Sequence, residues 1–165
     1  MNSYIYSMKF ICFKAFFLVL FFLVPGITLA QKQTFIVTGI PIPVKIDPST
    51  LSRSSLKTPG RDGKEHVYTG ILLSDLLKSA GIALGNKRES ITSYVILKAK
   101  DGYKSIFSLA EIDPLFAEQP ILIADKIDGN ALSQSDAPFQ VIVPGDKIQT
   151  RWVRQLVSIE LVRIE

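Results

Sequence analysis

The sequence offers almost no sulfur and almost no imidazole. Its 165 residues include one cysteine, Cys12, and one histidine, His66. Zinc sites need several thiolate or imidazole ligands at short spacing, so the usual zinc constellations are excluded. Cys12 lies in the apolar N-terminal stretch without a lipobox-like run before it, which argues against a lipid-anchored cysteine. Beyond that stretch the chain has no disulfide, no thiolate ligand and no cysteine nucleophile. A dominant charge is missing as well: 19 Lys and Arg stand against 15 Asp and Glu, and two of the cations, Lys9 and Lys14, belong to the N-terminal stretch. No basic patch interleaves with aromatics, so nucleic-acid binding has no support. Gly-rich phosphate loops are absent, no nucleophile elbow accompanies His66, and no internal repeat or low-complexity segment is visible.

What is present begins with an export signal. Lys9 and Lys14 form a positive n-region, and Ala15 to Val24 is an unbroken apolar run of h-region length, broken by Pro25 and Gly26. Thr28-Leu29-Ala30 places small residues where a signal peptidase reads, so cleavage before Gln31 is expected. The run is short for the roughly 30 Å of hydrocarbon that an anchor must cross. The expectation is a signal peptide over 1–30, a single domain over 31–165, a periplasmic or secreted location, and membrane contact only through an uncleaved signal. Without disulfides, that domain holds by burial alone, for which its length suffices.

Short strand-like runs dominate the rest. Thr34 to Thr38 is the first, and Pro41 and Pro43 after it belong at an edge, because proline cannot donate to a sheet ladder. Asp47-Pro48 reads as a helix N-cap and first position, with Leu51 closing the turn. Arg53 to Lys64 reads as a polar stretch of turn formers before a strand at Glu65 to Tyr68. Leu72, Leu73, Leu76, Leu77 and Ala80 form one face of a helix closed by Gly81, with Asp75 near its start. Tyr94 to Lys100 and Tyr103 to Phe107 are joined by Asp101-Gly102, a hairpin signal in which both turn residues are expected at positive φ. Ser108 and Glu111 form a capping box. Further strands are expected at Pro120 to Asp125 and Phe139 to Val143, with a turn at Asp128-Gly129, and Val157, Ile159 and Leu161 point inward from a C-terminal strand. The sum is an α+β fold: a mixed or antiparallel β-sheet with short helices, rather than a series of βαβ units.

Among residues with chemistry to offer, His66 is expected on a strand beside Tyr68, its ring on the same side, in a structural role. Asp101, Asp125, Asp128 and Asp146 sit in or beside turns, and turn geometry accounts for Asp101 and Asp128. Pro144 to Arg154 is more suggestive: Lys147, Arg151 and Arg154 surround the only tryptophan, Trp152. Guanidinium groups beside a ring suit a flat anionic ligand. The competing reading is Trp152 as a core anchor with solvated arginines, and tryptophan's usual burial favours it.

Three segments in order resemble a known family. Tyr68 to Gly81 (YTGILLSDLLKSAG) is similar to the aromatic-x-Gly-x-x-Leu-x-Asp-Leu-Leu-x-x-x-Gly helix entry of the sulfite oxidase-type molybdopterin-binding domain. Asp101-Gly102-Tyr103 with Ser108-Leu109-Ala110-Glu111 resembles the middle of its short standalone bacterial members. Phe139 to Glu160 resembles its closing Val-x-x-Pro-Gly turn, basic residue with Trp, and last strand. The likeness spans Thr34 to Ile164. It implies a sulfite oxidase-like molybdopterin-binding fold and a pterin cofactor whose dithiolene holds molybdenum for oxygen-atom transfer, with a cysteine thiolate completing the metal's attachment. This sequence departs from that pattern: no cysteine follows Cys12, and Ser135 to Gln140 replaces a His-Gly-x-Pro-x-Arg stretch, so its histidine and arginine are missing. Arg151 matches the basic position before Trp.

The expected function is an exported, non-catalytic or degenerate module that binds a pterin-like or other small anionic ligand at Tyr103, Arg151 and Trp152, with molybdopterin as the cofactor by resemblance and no metal ligated by the protein. The alternatives are an active molybdopterin-dependent oxidoreductase, its metal held by the pterin or a partner, and a structural or interaction protein without a ligand.

Overall fold

The computed structural model describes residues 34–40 and 43–164. The chain divides into units 1–31 and 32–165; the segment expected to be a signal peptide, Cys12, Pro41 and Ile42 lie outside the described residues. Ten strands and three short α-helices are described: β1 Phe35–Thr38, β2 Val44–Ile46, β3 Ser54–Pro59, β4 Glu65–Leu72, α1 Leu73–Ser79, α2 Lys87–Thr92, β5 Ser93–Ala99, β6 Lys104–Ser108, α3 Leu109–Ile112, β7 Leu122–Ile127, β8 Asn130–Ala131, β9 Gln140–Ile142 and β10 Leu156–Arg163. They form two five-stranded sheets rather than one. The first has the order β2-β1-β10-β5-β6 and is mixed, because β1 runs parallel to β10. The second has the order β3-β4-β7-β8, and β9 pairs with the same strand, β7, as β8 does.

Alternation builds the first sheet. In β5 every second residue, Ser93, Val95, Leu97 and Ala99, is buried, the period of two that sends one face of a strand to the core. β10 departs from the expected pattern. A bulge between Leu156 and Ser158 inserts Val157, so Leu156 turns inward and Val157 outward, while Ile159 and Leu161 are buried as read. The sheets meet through apolar contacts, including Phe35 against Phe139 at 4.3 Å and Tyr68 edge-on to Trp152 at 5.7 Å between ring centroids. Backbone bonds tie them too, from Val141 N–H to the Val153 carbonyl and from Leu156 N–H to the Phe139 carbonyl.

Local chemistry explains most of the connections. Asp47 accepts from Ser49 N–H ahead of a 3₁₀ turn at Pro48–Thr50. Ser108 and Glu111 complete the capping box of α3, and Gly81 takes positive φ just past α1. The two Asp-Gly turns differ. Asp128 and Gly129 are both at positive φ, at 49° and 79°, and make the two-residue turn between β7 and β8. Between β5 and β6 only Gly102 is positive, and Gly102 N–H reaches back to the Ala99 carbonyl. That hairpin is therefore the longer form with one left-handed residue, a correction to the two expected there.

Two elements differ from expectation for one reason: they bury little. The polar stretch 53–64 contains β3, an edge strand paired only with β4, whose inward residues Ser54, Leu56 and Thr58 alternate with exposed Ser55, Lys57 and Pro59. Helix α2, unforeseen in the sequence, buries only Ser90; Asn86 caps it, accepting from Arg88 and Glu89 N–H.

Gly70, within the segment that carries the family resemblance, sits where β4 meets β7 at a register shift. A β-carbon there would lie 2.0 Å from the Ile123 carbonyl oxygen, a backbone atom. We expect Gly70→Ala to lower unfolding free energy by about 2–4 kcal/mol, because overpacking against backbone has no cheap relief. Urea unfolding would show this as a lower midpoint at an unchanged slope.

Candidate functional site

Three segments converge on one groove. The β3–β4 turn contributes Gly60, Arg61 and Gly63; the β5–β6 turn contributes Asp101 and Tyr103; and the stretch before β10 contributes Lys147, Gln149, Thr150, Trp152 and Arg154. Together they line two adjoining open cavities of about 520 and 230 Å³, which share Arg61 and Thr150.

The groove is held by identifiable bonds. The β3–β4 turn is tight: Gly63 N–H donates to the Gly60 carbonyl, Gly60 N–H to the Lys64 carbonyl at 2.7 Å, and Lys64 N–H to Asp62 Oδ1. Gln149 Nε2 donates to the Pro59 carbonyl at 2.8 Å, tying the third segment to the end of β3. Tyr103 Oη donates to the Thr150 carbonyl at 2.7 Å, joining it to the hairpin. Trp152 is buried, its indole N–H donating to the Val143 carbonyl at 3.1 Å. It is the core anchor that tryptophan's usual burial favours, and it also lines the smaller cavity.

Of the three residues singled out from the sequence, Tyr103 and Trp152 meet in the smaller cavity and Arg151 does not. Arg151 turns the other way. Its Nε and Nη2 donate to Asp146 at 3.0 and 2.6 Å, its Nη1 to Glu111 at 2.7 Å, and its guanidinium lies 4.8 Å over the Phe107 ring. Its hydrogen bonds to Asp146 and Glu111 raise its pKa further, so its charge is fixed. Burial pushes Glu111 upward, but the Arg151 bond and those from Ser108 outweigh it and hold Glu111 below the usual carboxylate range. Arg151 thus closes a lock between the 146–151 segment and the start of α3.

Arg61 is the residue that sequence reading missed. It lies in the polar stretch taken as turn, and the usable signal was a Gly-Arg-Asp-Gly tip between two extended runs. Among the described residues no carboxylate pairs with Arg61 or Lys147, while Arg154 faces Asp136 at 3.5 Å. The groove's cations are therefore largely unspent. The turn aspartates have partners: Asp125 pairs with Arg53, Asp128 bonds His66, and Asp101 accepts from Tyr103 N–H. His66 is on β4 beside Tyr68, the rings edge-to-face at 6.2 Å. Among the described residues no group of three or more His, Cys, Asp or Glu is placed to hold a metal.

Two outcomes follow. Arg151→Ala should lower stability by about 1–2 kcal/mol, since the pair is partly screened by solvent. Arg151→Lys should recover little of it, because an ammonium cannot reproduce the two-pronged bond; chemical denaturation checks both. Glu111 and Asp113 are depressed in the folded chain, Asp113 because the Leu115 and Gly85 N–H groups and Ser90 outweigh its burial. A depressed carboxylate stabilises above its unfolded pKa and loses that contribution as pH falls through the folded one. Thermal melting followed downward from pH 5 should show Tm falling, and Glu111→Gln should flatten part of the slope.

No curated protein matches the chain. Among solved structures, the crystal structure of the sulfane dehydrogenase SoxCD from Paracoccus pantotrophus superposes with a TM-score of 0.61 at 15% identity, over 79% of this chain and 38% of that one. This chain thus spans well under half of that protein, and the likeness shows that the two share the sulfite oxidase-like fold. The model of the oxidoreductase molybdopterin binding domain matches residues 55–165, which include all three segments of the groove. The chain belongs to the oxidoreductase molybdopterin-binding domain family.

Proposed function

We propose that this chain is an exported domain that binds a flat, phosphate-bearing ligand of the pterin-cofactor type in the groove, without anchoring molybdenum through sulfur of its own. The observation that carries this reading is the trio Arg61, Lys147 and Arg154 around a groove that also presents Tyr103. Arg61 and Lys147, without carboxylate partners among the described residues, and Arg154, held to Asp136 only at 3.5 Å, are suited to phosphate, guanidinium groups by two-pronged hydrogen bonds and lysine as a point charge. Tyr103, about half exposed, offers a ring against which a flat group can lie.

The donor set fits one end of such a cofactor better than the other. Phosphate and ring have partners in the groove, whereas the protein thiolate has none, since the only cysteine is Cys12. When bound, the cofactor would supply a dithiolene-held metal; the protein's own residues would bind and orient the pterin. Arg61 and Lys147 would take the anionic end in the larger cavity. Tyr103 and Arg154, with Asp101 accepting from ring N–H groups, would hold the flat end in the smaller one.

Two measurements test the reading. Titration with a phosphorylated pterin should give saturable binding that Arg61→Ala and Lys147→Ala each weaken about tenfold, the equivalent of one charge-assisted hydrogen bond; Arg88→Ala, away from the groove, should leave it unchanged. Protein purified from its native host should carry molybdenum well below one atom per chain. Stoichiometric molybdenum with turnover of an oxyanion or sulfoxide would instead establish an enzyme whose metal is held by the pterin or by a partner. Saturable binding lost in neither variant would remove the groove from consideration.

A further inference from the structure

The single histidine sits between two carboxylates. Its Nδ1 is 2.6 Å from Asp128 Oδ2 and its Nε2 is 3.1 Å from Asp62 Oδ1. An ionised carboxylate only accepts, and a neutral imidazole donates from one nitrogen, so both bonds together require the imidazolium. Asp128 belongs to the β7–β8 turn and is also fixed by Val67 N–H at 2.9 Å. Asp62 belongs to the β3–β4 turn and follows Arg61, which lines both cavities of the groove. That turn packs against the imidazole: a β-carbon on Gly60 would lie 2.7 Å from His66 Cδ2 and 3.0 Å from Tyr68 Oη. Besides the two aspartates, the Tyr68 ring faces His66 from its own strand, Thr58 stands opposite on β3, and Arg61 and Asp136 act on the Tyr68 hydroxyl.

We infer that His66 is a pH-sensitive clamp on the groove: as the imidazolium it ties the Arg61-bearing turn to the β7–β8 turn, and on losing its proton it lets go of Asp62 and frees that turn. The bond to Asp62 is the one that breaks, because it is the longer and because Asp128 is also tied to the His66 strand at Val67 N–H, whereas the second bond of Asp62, from Lys64 N–H, lies within its own turn. The consequence for anion binding rests on the groove reading above; the clamp does not. Asp128 first, then Asp62, raise His66 above its ordinary 6.5 against a smaller effect of burial. A raised folded pKa means that the clamp's contribution is complete below the unfolded value and is lost as pH rises through the folded one. The release therefore falls on the alkaline side of 6.5.

One histidine in the sequence makes the titration unambiguous. In the ligand-free protein, the His66 Cε1–H signal should titrate above 6.5, and the amide signals of residues 61–64 should move with the same midpoint and show increased motion above it. In His66→Gln the 61–64 signals should be independent of pH and resemble the alkaline form of the unaltered chain; should that variant fold poorly, Asp62→Ala, which has no acceptor for Nε2–H, should show the increased motion of 63 and 64 at every pH. A midpoint at or below 6.5, or 61–64 amides that ignore the titration, would overturn the clamp. Sulfate, which keeps its charge across this range, reports on the groove: its affinity should fall several-fold through the His66 midpoint and stay flat in His66→Gln. Failure of sulfate to bind at any pH would sink the groove reading, and the amide signals would then judge the clamp by themselves.

Discussion

A cation gripped by two carboxylates sets the shape of the groove. Arg151 reaches Asp146 within its own loop and Glu111 at the start of α3, and rests on Phe107 from β6. Each contact spans a different distance in sequence, so together they allow one path for the chain from Pro144 to Trp152. With that path fixed, Gln149 donates to the Pro59 carbonyl at the end of β3, and the Thr150 carbonyl accepts from Tyr103 of the β5–β6 hairpin. The cost of holding charge in partial burial is offset because all three groups are hydrogen-bonded rather than merely close.

The segment therefore divides labour between its cations. Arg151 is consumed in building; Lys147 lines the groove without a carboxylate partner among the described residues, Arg154 faces Asp136 only at 3.5 Å, and Arg61 joins them from a distant part of the sequence. Trp152 works on both sides, donating to Val143 in the core while lining the smaller cavity. Family membership adds that this is a molybdopterin-binding domain fold, and the one cysteine of the sequence is Cys12.

Features decided by neighbours in sequence were legible in advance. Helix α1, the Ser108–Glu111 capping box, the Asp47 cap and the Asp128-Gly129 turn each depend on residues within a few positions, and each stands as read. What escaped was decided at longer range. β3 is polar because an edge strand buries only one side, and α2 is polar because it touches the core through Ser90 alone. The orientation of Arg151 depends on Glu111, forty residues away, and no pattern around Trp152 separates a ligand-facing arginine from a structural one. Val157 was misplaced because a bulge changes which side of a strand a residue occupies, and one extra residue suffices.

The place of β10 in the first sheet has a consequence for assembly. The last strand of the chain is the middle strand of five, with the parallel β1 on one side and β5 on the other. Until residues 156–163 arrive, the β1–β2 and β5–β6 hairpins have no shared partner, and the chain's earliest and intermediate portions cannot join. Such a topology keeps the layer open until that central strand is in place and then lets it close in one step.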